Sequence, residues 1–472
     1  MKFGLDDKVI EHIQKVFQEN WKVDFVVLFG SRAKGNHREG SDIDLAAKGR
    51  NVSYKDILAL NTKLDELNLP YEIDLLDYAA IKDEDVIEHI DRAGIVLYKR
   101  WKEYKLGDIA KVQTGPFGSQ LHMSDYKVSG TPIITVEHLG DNKILHTNLP
   151  LVSKTDKERL NKYLLQEGDI VFSRVGSVDR SAYVSKNEDG WMFSGRCLRV
   201  RVKSKTLSPK FLSYVFQQEN FKENIRRIAV GATMPSINTD ILSNVSIAVP
   251  PFKDQDNITS ILSSLDDKID LLRHQNKTLE QLAETLFRQW FVENASKDWE
   301  VGKLGDLVEF IYGKALKEES RSGNGFPVIG SSGVVGYHSN FLVKAPGIVI
   351  GRKGTLGKTI YLFENFSPID TTYYIKSKLD SKNLFYEYFL LKSLNFEKMN
   401  SDSAVPGLNR DIALSSEVIL PSLSKIALFN NYCSPFFKKI ETNINQIRSL
   451  IQFRDILLHK LMSGEMRMKQ II

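Results

Sequence analysis

Apolar residues recur at alternating steps of three and four positions along two long segments of the chain. This a/d spacing continues for more than three heptads in each segment and predicts two long helices that pair. The first seam consists of Leu262, Leu265, Ile269, Leu272, Asn276, Leu279, Ala283, Leu286 and Trp290. The second consists of Cys433, Phe436, Ile440, Asn443, Ile447, Leu450, Arg454, Leu457 and Leu461. A buried asparagine in each seam would fix the register of the pair. The alternative is that each helix packs only on its own globular half.

The segments that precede the two helices have a different texture. Short apolar runs such as 132–136, 169–172 and 347–351 are separated by Gly, Ser and Asp. Runs of this length, bounded by turn residues, are typical of β-strands. We therefore predict two β-rich regions, at about 101–250 and 299–421, each followed by a long helix.

Three collinear blocks of sequence occur twice. Trp101 and Gly115 match Trp299 and Gly313 at an offset of 198 residues, with KLGD between them in both copies. The segment 170–176 matches 348–354 at an offset of 178, and 235–291 matches 406–462 at a constant offset of 171 without a gap. Blocks in the same order with shrinking offsets indicate one ancestral unit that was duplicated and then lost or gained residues between the matches.

The first 98 residues read as a separate α/β region. An amphipathic helix at 9–17 precedes an apolar strand at 24–29, a Gly30-Ser31 turn and a second strand at 41–45. Side chains two apart on a strand share a face, so Asp42 and Asp44 can hold a divalent cation together. A helix, a third strand at 71–76 and a last helix near 80–92 follow.

Charge separates the N-terminal region from the rest of the chain. The 472 residues carry a formal net charge of +5, but residues 1–98 contain 13 Lys and Arg against 19 Asp and Glu. The remainder is therefore basic by 11 charges, which fits a polyanionic partner as well as an ordinary solvated surface. Cys197 and Cys433 have no partner at disulfide or zinc spacing, and we expect both to be buried thiols. No apolar run reaches membrane-span length and the N-terminus is acidic, so we expect a cytoplasmic protein.

The repeated motifs resemble the specificity subunits of type I restriction–modification enzymes over about 370 residues. The motifs are KLGD, GDIVFSR, P-x-[I/L]-N-x-D-I and the helix segment LAETLFRQWF. The resemblance implies target-recognition domains at 101–257 and 299–425, with spacer helices at 258–294 and 426–465. It further implies a bipartite double-stranded DNA site, two docked methyltransferase subunits that use S-adenosylmethionine, and a separate restriction subunit.

Six basic residues in the two predicted recognition domains are candidates for DNA contacts. Phosphate and base contacts commonly come from Arg and Lys on loops. The alternative is that each is an ordinary surface charge. The candidates are Arg174, Arg180 and Arg196 in the first domain, and Arg352, Lys353 and Lys358 in the second. The GTLGKT segment that contains Lys358 lacks the first glycine of a phosphate-binding loop and leads into a strand-like run, so we predict a basic β-turn there.

Residues 1–98 are similar to the minimal nucleotidyltransferase family, whose members are often antitoxins. The similarity rests on Gly30-Ser31 followed by ten residues and then Asp42-x-Asp44. It implies that Asp74 is the third carboxylate, so that Asp42, Asp44 and Asp74 are both catalytic and metal-binding. Gly30, Ser31 and Arg32 would bind the nucleotide, with Mg²⁺ and a nucleoside triphosphate, ATP in the first instance, as cofactors. The acceptor could be a hydroxyl group of a toxin or another protein, a nucleotide or a small molecule.

The expected architecture is an α/β multidomain chain. An N-terminal nucleotidyltransferase-like α/β domain precedes two β-rich α/β target-recognition domains, which are separated by two long antiparallel coiled-coil helices. The first functional hypothesis is a DNA-specificity subunit, non-catalytic in its C-terminal part, fused to a nucleotidyltransferase. The alternative hypothesis is a nucleotidyltransferase that modifies proteins and uses the duplicated region as a binding scaffold. A third is a decayed N-terminal domain that only binds nucleotide.

Overall fold

A computed structural model describes residues 2–20, 22–49, 52–116, 118–379, 382–396, 407–462 and 466. The chain forms two compact units, one of Met1–Ser264 with Arg454–Ile472 and one of Leu265–Phe453. We call residues 101–257 the first head and residues 299–425 the second head. No described helix combines the length and the apolar character that crossing a membrane requires.

The N-terminal region is a four-stranded sheet with helices packed on it. Its elements are α1 (Asp7–Glu19), β1 (Val23–Leu28), α2 (Gly30–Lys34), β2 (Ile43–Gly49), α3 (Tyr54–Asp65), β3 (Ile73–Asp77), α4 (Glu84–Ala93) and β4 (Ile95–Lys99). The strand order is β3-β2-β1-β4, with β2 and β3 parallel and the other pairs antiparallel. Buried Ile13 and Phe17 on α1 pack on the sheet strand residues Val26 and Leu45. The predicted order of helix, strand, turn, strand, helix, strand and helix is confirmed, and β4 is an additional strand at the end of the region.

The described residues of the first head form three sheets. Its elements are β5 (Lys102–Lys105), α5 (Leu106–Ile109), β6 (Ala110–Thr114), β7 (Tyr126–Lys127), β8 (Thr131–Ile134), β9 (Leu151–Val152), α6 (Lys154–Arg159), β10 (Ile170–Ser173), β11 (Ser181–Tyr183), β12 (Met192–Phe193), β13 (Cys197–Val202), α7 (Pro209–Gln217), α8 (Glu219–Ile228), α9 (Thr239–Ser243) and β14 (Ser246–Val249). The sheets have the orders β11-β10-β13-β6, β12-β8-β9-β7 and β14-β5. The chain then enters α10 (Phe252–Arg288).

The second head repeats the main four-stranded sheet and the two-stranded pair of the first head. Its elements are β15 (Glu300–Lys303), α11 (Leu304–Leu307), β16 (Val308–Tyr312), β17 (Phe326–Gly330), β18 (Gly333–His338), β19 (Gly347–Gly351), β20 (Thr359–Leu362), β21 (Ser367–Pro368), β22 (Thr372–Ser377), α12 (Phe385–Ser393), α13 (Arg410–Leu414) and β23 (Glu417–Leu420). The sheet β20-β19-β22-β16 has the same order as β11-β10-β13-β6, and β15-β23 corresponds to β14-β5. The other sheet of the second head, β18-β17-β21, has three described strands instead of four, while the parallel pairs β8/β12 and β17/β21 match. The duplication inferred from the sequence is therefore present in the strand connectivity.

Two repeated glycines show why the first sequence block was recognisable. A Cβ atom on Gly115 would lie 2.2 Å from the carbonyl oxygen of Ser194, and one on Gly313 would lie 2.1 Å from that of Ile369. Both positions thus have a backbone carbonyl where any side chain would begin, which leaves glycine as the residue that fits. The same close approach occurs at the same place in each head.

The long helices are α10 and α14 (Leu423–Met462), of 37 and 40 residues. A π-helical turn, Gln289–Glu293, extends α10. In the unit of Leu265–Phe453, Asn276 contacts Asn443, while the rings of Phe287 and Phe429 lie 5.9 Å apart. As residue numbers increase along α10, the residues that they contact on α14 decrease in number, so the helices are antiparallel. Phe287 also packs on Tyr386 of the second head, so α10 contacts both α14 and this head.

The N-terminal region is joined to α10 by a buried cation. Arg100 follows β4 and its side chain is 5% exposed. Its guanidinium pairs with Asp254 in the first turn of α10 and donates to the carbonyl oxygen of Asn20 over 3.2 Å. An arginine so buried is stable only when its N–H groups are paired, so this contact fixes the N-terminal region against the start of the helix.

Candidate functional sites

Gly30 and Asp44 form the centre of the N-terminal site. Gly30 has φ of +72° and begins α2 directly after β1. The backbone N–H of Phe29 donates to the carbonyl oxygen of Asp44 over 2.9 Å, which holds the strand-to-helix turn against β2. A Cβ atom on residue 30 would lie 2.0 Å from Oδ2 of Asp44. The glycine is therefore required both by its backbone conformation and by the neighbouring carboxylate.

The three predicted carboxylates occupy one edge of the sheet. Asp44 on β2 is the register partner of Asp74 on the parallel strand β3. Asp42 lies one residue before the first residue of β2, so the strand begins later than predicted, and the shared face of Asp42 and Asp44 stays a prediction. Burial raises the pKa of the Asp44 carboxyl, the charges of Asp74 and Asp42 raise it further, and the nearby Arg32 opposes them. The three negative charges are thus close enough to repel one another.

These carboxylates suit a divalent cation in their chemistry. Mg²⁺ prefers carboxylate oxygens, and a bound cation would relieve the repulsion that raises the pKa of Asp44. Among the described residues, however, no three His, Cys, Asp or Glu side chains converge closely enough to form a metal site. A metal role for Asp42, Asp44 and Asp74 therefore remains a proposal.

Arg32 is buried beneath the site. Its side chain is 2% exposed, and its Nε donates to the carbonyl oxygens of Ser41 and Asp42 at 3.0 Å each. Its Nη1 donates to the carbonyl oxygen of Phe3 over 3.0 Å. These contacts commit the guanidinium to holding the segment before β2. The structure therefore gives Arg32 a positioning role, and its predicted contact with nucleotide is a separate proposal.

A cavity of about 480 Å³ opens beside Asp44. It is lined by Phe29, Gly30, Ser31, Lys34, Asn36, Asp44, Asp85, Val86 and His89. Gly30, Ser31 and Asp44 were predicted site residues, whereas Asp42, Asp74 and Arg32 are outside this lining. Sequence reasoning missed Asp85 and His89, which α4 brings to the cavity at i and i+4 spacing. The buried Nε2 of His89 has no hydrogen-bond partner in the described part of the chain.

The three candidate arginines of the first head differ in exposure. Arg174 is half-buried, and its Nη1 donates to the carbonyl oxygen of Gly195 over 3.3 Å. Arg180 is half-buried and donates to the carbonyl oxygen of Leu139. Arg196 is exposed, and its carbonyl oxygen accepts from the backbone N–H of Arg174 over 2.8 Å. Arg174 and Arg196 are thus adjacent at one end of the β10/β13 pair.

The candidates of the second head lie in the turn between β19 and β20. Arg352 donates from Nη1 to the carbonyl oxygen of Asp370 over 3.1 Å. Lys353 is exposed, and Nζ of Lys358 donates to the carbonyl oxygen of Ser332 over 2.6 Å. Thr359 begins β20 rather than a helix, so the predicted basic β-turn in place of a phosphate-binding loop is confirmed.

The family model described as "Type I restriction modification DNA specificity domain" matches residues 98–281 and 296–449, one match for each head and its following helix. The chain belongs to the type I restriction–modification specificity family. A second model, "Polymerase beta, Nucleotidyltransferase", matches residues 11–103, so this specificity subunit carries an N-terminal nucleotidyltransferase domain.

Two related specificity subunits align with this chain over almost their full length. The specificity subunit of the type I restriction enzyme HindI of Haemophilus influenzae is 24% identical over 469 residues, covering 77% of this chain and 99% of the relative. That of the MjaIX enzyme of Methanocaldococcus jannaschii is 24% identical over 416 residues, covering 79% and 95%. The crystal structure of the specificity subunit from M. genitalium is 18% identical with a TM-score of 0.46, covering 76% of this chain and 96% of that one.

Proposed function

We propose that the two heads of this specificity subunit read the two halves of a bipartite, asymmetric DNA site. The observation that supports this most is the duplication: the main four-stranded sheet has the same strand order in both heads, with different side chains at matched positions. Two copies of one scaffold suit the local twofold symmetry of duplex DNA, and their differences suit two different half-sites. The excess of 11 basic charges outside residues 1–98 matches a polyanion.

The paired helices α10 and α14 are the proposed docking surface for two methyltransferase subunits and a restriction subunit. At 1.5 Å per residue, helices of 37 and 40 residues are roughly 55 to 60 Å long, which exceeds one turn of DNA. Adenine methylation with S-adenosylmethionine and DNA cleavage would then belong to the partner subunits, and the complex would act in the cytoplasm. We take 1–98, 101–257, 258–294, 299–425 and 426–465 as the working domain limits.

Mapping of methylated adenines tests the specificity role. The full chain is co-expressed with its methyltransferase subunit in a host that lacks adenine methylation, and the genome is sequenced for modified bases. We expect a bipartite motif with a fixed gap, of which one half changes when residues 101–257 are exchanged for those of another specificity subunit. A soluble complex that methylates no motif would instead favour the alternative, in which the duplicated region is a scaffold for the nucleotidyltransferase.

We also propose that residues 1–98 transfer a nucleotide from ATP or another nucleoside triphosphate to a hydroxyl acceptor. The cavity that contains Gly30, Ser31 and Asp44 supports this. Backbone N–H groups at the Gly30-Ser31 turn would face the phosphate oxygens of a bound nucleotide, and Lys34 in the same cavity wall would add a cation. Asp42, Asp44 and Asp74 would hold Mg²⁺, which neutralises triphosphate charge when bound.

The remaining chemistry is assigned to side chains of this domain. Asp74 accepts the proton of the acceptor hydroxyl, whose oxygen bonds to the α-phosphorus while the bond to pyrophosphate breaks. Arg32 keeps the segment of Asp42 in place through the Ser41 and Asp42 carbonyl oxygens. The acceptor we propose is a protein hydroxyl, either on a subunit of the same complex or on a toxin.

Transfer of label tests the nucleotidyltransferase directly. The full chain is incubated with Mg²⁺, α-labelled ATP and the purified partner subunits, and the proteins are separated. We expect label on one protein, with none when Asp44→Asn replaces the wild-type chain. Absence of label from all proteins, nucleotides and small molecules in a cell extract would rule out the activity under these conditions.

A further inference from the structure

Two guanidinium groups of the second head lie over one tyrosine ring. The guanidinium carbon of Arg352 is 4.9 Å from the ring centroid of Tyr312, and that of Arg410 is 5.6 Å from the same centroid. The ring of Tyr373 lies 5.0 Å from that of Tyr312, and Arg352 is 5.8 Å from Tyr373. We call Tyr312, Arg352, Tyr373 and Arg410 the stacked cluster.

The backbone brings the stacked cluster together from three separate segments. Tyr312 ends β16 and is the register partner of Tyr373 on β22. The backbone N–H of Leu408 donates to the carbonyl oxygen of Arg352 over 3.0 Å. The hydroxyl of Tyr373 donates to the carbonyl oxygen of Leu408, also over 3.0 Å. The segment that leads into Arg410 is therefore fixed to the turn that carries Arg352.

The outer part of the stacked cluster faces solvent. Tyr312 is 46% exposed, and the side chain of Arg410 is 42% exposed. Exposed cation–π contacts contribute little to the free energy of folding. Their effect here is on geometry, because a stacked guanidinium keeps its plane. Nε of Arg410 donates to Oδ1 of Asp411 over 3.2 Å, which leaves the two terminal Nη groups for a ligand. Lys353 and Lys358 are exposed on the adjoining turn.

The first head lacks this arrangement at the matched positions. The offsets of the repeat and the strand registers pair Tyr312 with Thr114, Arg352 with Arg174, Tyr373 with Leu198 and Arg410 with Thr239. One arginine is thus common to both heads, while both aromatic rings and the second arginine occur in the second head alone. A feature that distinguishes two copies of one scaffold is a candidate for what makes their half-sites different.

We propose that the stacked cluster reads a guanine in the half-site of the second head, with Arg410 as the base-reading side chain and Tyr312 and Arg352 as the residues that orient it. The terminal N–H groups of arginine match O6 and N7 of guanine in the major groove, and lysine lacks the rigid planar fork that fixes this paired contact. The inference rests on the proposed reading of a bipartite DNA site.

The experiment uses the full chain with its methyltransferase subunit and maps methylated adenines in the host genome. The wild-type motif is expected to contain guanine in the half-site that stays unchanged when the first head is exchanged. Arg410→Lys retains the charge but not the paired N–H groups, so discrimination at that guanine should fall by about tenfold or more, with all other positions unchanged. Tyr312→Ala should have the same effect, and Tyr312→Phe, which keeps the ring, should not.

Arg92→Lys is the matched control, since it makes the same change at an exposed arginine of α4, outside both heads, and should leave the guanine preference intact. Circular dichroism and thermal unfolding check that Tyr312→Ala folds, and Arg410→Lys carries the test if it does not. The inference is overturned if the second half-site has no guanine, if Arg410→Lys preserves the preference, or if every position weakens equally, as loss of a phosphate contact predicts. A wild-type complex without any bipartite motif would instead refute the proposed function on which the inference rests.

Discussion

Nδ2 of Asn443 donates a hydrogen bond to Oδ1 of Asn276 over 2.8 Å, across the pair of antiparallel helices. Asn443 is fully buried, and a second, longer contact of 3.4 Å joins it to Oε1 of Gln275. Within the described residues its own Oδ1 accepts no hydrogen bond. This incomplete polar pair in an apolar seam costs stability, and it aligns α10 with α14 because any shift along the seam would bury both amides unpaired.

Replacing this pair should separate stability from register. Asn443→Ala is expected to lower the free energy of unfolding by about 1 to 3 kcal/mol, because it leaves Asn276 without its donor and opens a small cavity. The double change Asn276→Leu with Asn443→Leu should be neutral or stabilising, but with a broader distribution of helix registers. Thermal unfolding gives the first result. Distances between spin labels at the exposed positions Lys277 and Lys439 give the second, and an unchanged distribution would exclude a register role.

Gly30 and Gly35 form a matched pair for testing the nucleotide site. Their φ angles are +72° and +74°, but a Cβ on Gly30 meets the Asp44 carboxylate, whereas one on Gly35 meets nothing within 4 Å. Gly35→Ala should cost about 1 kcal/mol of folding stability and retain label transfer, because only the backbone conformation is strained. Gly30→Ala should cost more and abolish transfer. Equal loss of activity in both variants would show that backbone strain, not the displaced carboxylate, is responsible.

The ionised carboxylate of Asp44 should lower the free energy of unfolding of the N-terminal region at neutral pH. Its folded pKa is raised by burial and by Asp74 and Asp42, so the folded domain holds a proton more tightly than the unfolded chain does. Folding stability therefore falls as pH rises through the shifted range, and it is regained as pH falls. Asp44→Asn should raise the midpoint of thermal unfolding at pH 7 to 8. This increase should become smaller as the pH is lowered towards the ordinary pKa of a carboxyl group.

The effect of Mg²⁺ on the midpoint of thermal unfolding tests whether Asp44 holds a cation. A cation held by the carboxylates should stabilise the wild-type chain and leave Asp44→Asn unaffected. Asp65→Asn, at the exposed end of α3, is the matched control and should behave like the wild type in both experiments. A thermal midpoint that Mg²⁺ shifts equally in all three chains would argue against a metal site at Asp44.

Cys197 and Cys433 should be inert towards thiol reagents in the folded chain. Both are fully buried, as the sequence predicted, and burial raises the pKa of each thiol to about 12. Thiolate, the reactive form, is then scarce at pH 8. Two thiols should react with a disulfide reagent in denaturant and none within minutes in native buffer. Ser449→Cys, at an exposed helix position, should add one fast thiol, and fast reaction of the wild type would contradict the burial.

Features with a short repeat or a fixed spacing were readable from the sequence alone. The seams that contain Asn276 and Asn443 follow from helical periodicity, and the duplicated heads follow from collinear blocks that the sheet orders reproduce. The Gly30-Ser31 turn and Asp44 were identified because motif spacing reflects a local strand-turn-helix-strand path. In each case the signal lies within a single element or in the repetition of one, where local backbone preference and side-chain alternation determine the structure.

Other features depend on contacts between distant segments, and only the tertiary structure decided them. Arg32 looked like a nucleotide ligand, yet its guanidinium is buried under carbonyl oxygens of the segment before β2. His89 lines the cavity because α4 packs beside β1. The sequence of α4 alone does not show this packing. Tyr312 and Arg410 are 98 residues apart and meet because β16, the turn after β19 and the start of α13 converge. The sequence by itself determined the elements and their duplication, whereas packing between elements decided which side chains share a site.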